Sequence, residues 1–325
     1  MENDIWEQFI SVPERPEDEL DPTETRRRHQ FFGVREEEDA SLQRAKEVWK
    51  RIDAGRNKEI SSKWGHTFQV DVQAQAGRFY LVHIPSCILE DLNEGSKVPR
   101  PYPVVIFYHG LNSCAWYCAL KGTGLRKLAQ EKKFIAIFGQ GQGEYFESGP
   151  KRDKWNCIAF GELSWEIAHP HADFLYLDAI LAHIGIRASS SFAESANWPA
   201  KYQGRIMIDR ASVYFMGYSN GAMFSCNVAI RYGGSVFKGI CNMMGGWAGG
   251  YPDEGLMDVK DAKHPVPLLL VSGTEDAYLP SCLKARDLFE PAGFPVTVRV
   301  LEATGHVYPR DFEETVWQFF LTAGG

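Results

Sequence analysis

Apolar and polar residues follow three different rhythms along this chain, and each rhythm predicts a different kind of element. Between residues 36 and 52, Leu42, Ala45, Val48, Trp49 and Ile52 recur at helical spacing among charges, which predicts an amphipathic helix ended by Gly55. Thr67 to Gln73 and Arg78 to Ile84 alternate with a period of two on either side of Ala74, Gln75, Ala76 and Gly77, the pattern of an antiparallel hairpin. Then the pattern loses its alternation. Val104 to Tyr108, Phe134 to Phe138, Val213 to Met216, Leu268 to Val271 and Val296 to Leu301 are short apolar runs, as expected of strands buried on both faces of a parallel sheet. Helical stretches are predicted between them at about 118–131, 171–186, 221–232, 281–290 and 311–321. The expected architecture is therefore α/β: a mostly parallel central sheet with helices on both faces, the hairpin at its amino-terminal edge, and an N-terminal helical extension.

The composition of the 325-residue chain narrows what this architecture does. At 44% hydrophobic it is large enough for one sizeable core, so a catalytic domain over 61–325 preceded by a charged extension over 1–60 is expected. A net charge of −7 argues against nucleic acid as a partner, and Arg26, Arg27 and Arg28, flanked by acidic residues, read as a solvated face. The first residues lack the basic flank and apolar core of a secretory signal, and no run is long enough to cross a bilayer. A cytoplasmic, soluble protein without membrane contact is the expectation, with a mature secreted form left open. The seven cysteines are odd in number and scattered, which fits free thiols. Cys114 and Cys118 have no zinc-spaced companions, so no metal is expected. Gly139, Gly141 and Gly143 follow a strand, but the third glycine of a dinucleotide fingerprint falls on Glu144 or Phe146. The stretch therefore reads as a rim loop, and no cofactor is expected.

One stretch carries chemistry. Val213 to Met216 runs into Gly217, Tyr218, Ser219, Asn220 and Gly221, a Gly-x-Ser-x-Gly pattern placed where a strand gives way to a helix. With 30 glycines in the chain the pattern alone is weak; its position and its partners strengthen it. A serine hydroxyl needs a base, and the base needs a carboxylate to fix its tautomer. Of the nine histidines, His306 follows a late apolar strand in a small-residue loop, and Asp276 follows the strand before it, with Glu275 as the rival acid. Two amides are required for the developing oxyanion. Asn220, the residue after the nucleophile, is expected to supply one and Leu111, in the His109–Gly110–Leu111 loop after Val104 to Tyr108, the other.

In these motifs the chain resembles the poly(3-hydroxybutyrate) depolymerase and feruloyl esterase group of α/β-hydrolases. The likeness spans roughly residues 78–320, through Tyr108–Gly110, Trp155–Asn156, Asp173–Leu177, Asp209–Met223, Gly273–Asp276, Gly305–Pro309 and Trp317–Phe320. It implies Ser219, Asp276 and His306 as triad, Leu111 and Asn220 as oxyanion donors, and hydrolysis of carboxylic esters. The chain departs from that group in its charged extension, in an apparent insertion near 187–206 and in lacking a polymer-binding module, so a soluble small-molecule ester is the expected substrate. Trp116 and Trp247, just past strands that feed the site, are expected to wall a pocket for it. Thioesterase, acyltransferase and serine peptidase chemistry would use the same residues, and a non-catalytic ligand-binding role is the rival outside enzymes.

Overall fold

The computed structural model describes residues 59–72, 78–93, 100–111, 113–141, 171–187, 198–247 and 257–323. The helix expected over 36–52, Trp155–Asn156, the rim loop beyond Gly141 and residues 188–197 of the 187–206 insertion lie outside them. Along the chain come strands β1 (Glu59–Ser62), β2 (Gly65–Asp71) and β3 (Phe79–Pro85), helix α1 (Ser86–Asn93) and strand β4 (Pro101–Tyr108). A three-residue helix α2 (Ala115–Tyr117) continues into a π-turn over Cys118–Gly122, followed by α3 (Leu125–Lys132), β5 (Ile135–Gly139) and α4 (His171–His183). The second half holds β6 (Met207–Tyr218), α5 (Asn220–Arg231), β7 (Gly239–Met243), β8 (Leu268–Gly273), α6 (Leu279–Phe289), β9 (Val296–Leu301) and α7 (Glu313–Thr322).

All nine described strands join one sheet in the order β1-β2-β3-β5-β4-β6-β7-β8-β9. The pairs β1–β2, β2–β3 and β3–β5 are antiparallel. Every pair from β5–β4 to β8–β9 is parallel. The expected hairpin is thus the inner part of a three-stranded edge, and the domain boundary expected after residue 60 falls inside β1.

The continuous apolar runs are explained by two cores, one on each face. Along β4, Val104, Ile106 and Tyr108 enter one core while Val105 and Phe107 enter the other, and β6 divides Val213 and Phe215 from Tyr214 and Met216 in the same way. A strand walled on both sides needs apolar residues at every position, so the period-two signal disappears. The first core is roofed by α4, α5 and α6 through Phe174, Leu177, Phe224, Val228, Ala285 and Phe289. The second is closed by α3 and α7 through Leu125, Leu128, Val316, Trp317 and Phe320.

Three expectations need correction. β9 is the outermost strand, paired only with β8 among the described strands and half exposed along its length, so it is not buried on both faces. The helix expected over 118–131 is broken at Thr123–Gly124, where the Gly124 amide turns to the Glu313 carboxylate at 2.8 Å. β7 was not anticipated, because Gly239 and Asn242 interrupt its apolar run.

The chain leaves β4 on one side toward β5 and returns on the other side to β6, so the sheet reverses direction around β4. In such sheets a crevice opens at the carboxyl ends of the strands at the reversal. The first residues after β4, β5 and β6 meet there.

Candidate active site

At the end of β6 the backbone turns straight into α5, and the corner residue Ser219 takes φ 53° and ψ −115°. A non-glycine residue is held there only where its surroundings over-determine it. The Ser219 amide donates to Met243 O (2.9 Å), Gly221 N–H donates to His109 O (3.1 Å), and the Ser219 carbonyl accepts the Met223 amide (3.0 Å). The small residues of the motif are required by space. A Cβ on Gly217 would lie 2.1 Å from Gly221 O, and one on Gly221 would lie 2.3 Å from Tyr108 O.

Ser219 Oγ lies 2.8 Å from His306 Nε2. His306 Nδ1 lies 3.0 Å from Asp276 Oδ1, which also accepts the Tyr278 amide at 2.9 Å, while Asp276 Oδ2 accepts the Ser272 hydroxyl at 3.4 Å. The Asp276 side chain is fully buried and Glu275 is exposed. With Nδ1–H donated to Asp276, the lone pair on Nε2 faces the serine hydroxyl, the arrangement a general base needs. The half-buried imidazole lies between two tyrosines: Tyr218 stacks on it at 5.7 Å and Tyr278 tilts against it at 4.9 Å.

The loop after β4 comes up against Ser219, since a Cβ on Gly110 would be 3.1 Å from Ser219 Cβ. Leu111 follows Gly110 and is 42% exposed, and Asn220 begins α5. His109 is fully buried. Its Nδ1 donates to Gly110 O at 2.7 Å and its Nε2 accepts the Gly141 amide at 2.9 Å. Burial lowers its pKa to about 4, so the ring stays neutral.

The structure does not bring the two expected pocket tryptophans together. Trp116 is buried in the core closed by α7, and Trp247 is half-buried on the opposite core against Phe289, at 5.8 Å. The sequence reading gave Tyr278 no role and Gln140 only a place in the rim loop after β5. Among the described residues no group of three or more His, Cys, Asp or Glu is placed to hold a metal, and no helix is long and apolar enough to cross a membrane. The six described cysteines are buried free thiols.

Sheet order and elbow define an α/β-hydrolase fold. Solved structures share it: an S-formylglutathione hydrolase from Agrobacterium tumefaciens aligns with a TM-score of 0.54 at 16% identity, covering 82% of this chain and 99% of that one. A ferulic acid esterase aligns at 0.50 and 14% identity, covering 82% and 97%. At such identities the likeness is one of fold. No protein-family profile matches the chain. In sequence it is 34% identical over 332 aligned positions to the uncharacterized hydrolase R843 of Acanthamoeba polyphaga mimivirus, with 99% of each chain covered, and it belongs to the same hydrolase family.

Proposed function

We propose that the protein is a serine hydrolase that cleaves carboxylic esters of small soluble molecules through an acyl-enzyme. The observation that carries this reading is the unbroken row Ser219 Oγ to His306 Nε2 (2.8 Å) and His306 Nδ1 to Asp276 Oδ1 (3.0 Å) at the mouth of an elbow. His306 Nε2 takes the hydroxyl proton as Ser219 Oγ bonds to the substrate carbonyl carbon. The carbonyl electron pair moves to oxygen, where the amides of Leu111 and Asn220 receive it. When the tetrahedral adduct collapses, the C–O bond to the alcohol breaks and the imidazolium returns its proton to the leaving oxygen. Water, deprotonated by His306, repeats the sequence on the acyl-serine and releases the acid. Asp276 holds the imidazole in the productive tautomer throughout.

The resemblance to depolymerases and feruloyl esterases supports the choice of ester, and the ferulic acid esterase among the solved structures with this fold is consistent with it. A fluorophosphonate probe is expected to label Ser219, with labelling and p-nitrophenyl acetate hydrolysis both lost in Ser219→Ala, where turnover falls by on the order of a millionfold. Folded wild-type protein that takes up no probe would point to a ligand-binding role instead.

A further inference from the structure

The amides that would hold an oxyanion are useful only if they do not move during the reaction, and the loop carrying Leu111 hangs between a strand and a very short helix. Its near end is fixed by β4 and by the Gly221 N–H to His109 O hydrogen bond. Its far end is α2, which runs on into the turn over Cys118–Gly122 and buries Ala115 and Trp116 in the core. The first backbone amide of α2 is held across to the neighbouring strand by the side chain of Gln140, the first residue after β5, 4% exposed. Gln140 Oε1 accepts the amide of Ala115, the first residue of α2, at 3.0 Å. Gln140 Nε2 donates to Gly141 O at 2.9 Å and lies 3.4 Å from His109 Nε2.

The second of these contacts reaches the near end of the loop. By fixing the carbonyl of Gly141, Gln140 fixes the residue whose amide donates to His109 Nε2 (2.9 Å). Because that nitrogen accepts, the ring proton sits on Nδ1, where it binds Gly110 O at 2.7 Å. This contact sets the tilt of the peptide between Gly110 and Leu111, whose N–H is the proposed donor. Gln140 is itself held from behind. Its amide donates to Tyr176 Oη (2.9 Å), and its carbonyl accepts Arg78 Nη2 (3.5 Å), a guanidinium that is paired with Asp173 and lies over the Tyr176 ring at 3.8 Å.

We propose that Gln140 is a positioning residue for the 109–115 loop, setting the Leu111 amide beside Ser219 through Ala115 at one end and His109 at the other. It touches neither substrate nor Ser219. The inference rests on the serine-hydrolase reading above. Misplacing a catalytic group by an ångström costs up to about a hundredfold in rate, and the loss falls on the chemical step because the group acts in the transition state.

The test compares wild type with Gln140→Met, which keeps the volume without the hydrogen bonds, and Gln140→Ala, which leaves room for water. Steady-state hydrolysis of p-nitrophenyl acetate and the rate of fluorophosphonate labelling are measured well below the melting temperature of each variant. Both variants are expected to lose roughly tenfold to a hundredfold in kcat with KM within about twofold of wild type, and to label more slowly by a similar factor, since attack on phosphorus uses the same amides. A purely structural role would lower the melting temperature and leave kcat of the folded protein alone. Folded variants with kcat and labelling within about twofold of wild type would overturn the inference, as would failure of both to fold. Absence of labelling in the wild type would instead remove the hydrolase reading, and this inference with it.

Discussion

Tyr308 donates its hydroxyl to the carboxylate of Glu313 at 2.6 Å, and that buried carboxylate oxygen also accepts the Gly124 amide at 2.8 Å. The contact ties the loop bearing His306 to the start of α3. Tyr308 in turn sets its ring edge against Tyr218, at 5.4 Å, the residue stacked on His306. Burial raises the Glu313 pKa to about 6, although Tyr308 and the Gly124 amide favour the anion. The folded protein therefore binds this proton more tightly than the unfolded chain does. Stability from this group is greatest below about pH 4.5, falls as pH rises toward 6 and is flat above, a loss of about 2 kcal/mol. Glu313→Gln keeps the acceptor oxygen for both donors without the charge. It should be more stable than wild type at pH 8 by roughly 1–2 kcal/mol in urea unfolding, with the gain gone near pH 4.5.

Two buried histidines act in the opposite sense. Burial, aided by Arg126, lowers His83 to about 3, and burial, aided by Arg78, lowers His109 to about 4. The unfolded chain binds these protons near pH 6.5 and the folded one does not, so their stabilisation is present above 6.5 and is lost as pH falls. Between about pH 6 and 4.5 two protons favour unfolding and the Glu313 proton favours folding, leaving a net loss of about 1.4 kcal/mol per pH unit. His66, lowered by its own burial and by Lys201, adds to it. Urea midpoints measured at pH 7.5, 6 and 5 check this slope, and it should steepen in Glu313→Gln. A stability that rises on acidification would contradict it.

Asp276 is buried against His306 while the adjacent Glu275 is exposed. Asp276→Asn is expected to lower kcat on p-nitrophenyl acetate by on the order of ten thousandfold, because the asparagine amide donates to Nδ1 and selects the wrong tautomer. Glu275→Gln should stay within about threefold, since an exposed carboxylate at that distance acts only through screened charge. The reverse ranking would reassign the acid.

Glycines near the site should differ sharply in tolerance. Gly221→Ala forces a Cβ to within 2.3 Å of the Tyr108 carbonyl oxygen, a backbone atom that cannot yield without distorting β4. Gly305, next to His306, has nothing within 4 Å of an added Cβ. The first substitution is expected to cost about 3 kcal/mol or more, or to abolish soluble expression, and the second less than about 1 kcal/mol. Thermal melts of the two variants side by side check the contrast.

The sheet was readable from sequence wherever burial on both faces forced an unbroken apolar run, as in β4, β5 and β8. It was less readable where tertiary position overrode pattern. β9 reads with the buried runs from its valines, yet Thr297 and Arg299 alternate with them, as suits the edge where the strand lies, and β7 sits between two strands although Gly239 and Asn242 dilute it. The Asn242 side chain accepts the Gly246 amide (2.7 Å) and donates to Ala222 O (2.7 Å), which braces the elbow from below. The serine, acid and base could be proposed in advance because each ends a strand in a fixed chain order. Gln140 could not, since its partners, Ala115 and His109, come from a different stretch of chain, and only the β4–β5 pairing brings them together.

The outermost position of β9 has a consequence for how the protein is made. Ser219 and His306 are 87 residues apart in sequence, and β9 can join the sheet only after β8 is in place. At ribosomal rates of roughly 5–20 residues per second, the elbow leaves the exit tunnel on the order of ten seconds before its base. Throughout that interval the nascent chain presents a serine with no partner to deprotonate it. On the proposed mechanism the hydroxyl is armed only when the edge strand docks, so the chemistry would switch on with completion of the sheet.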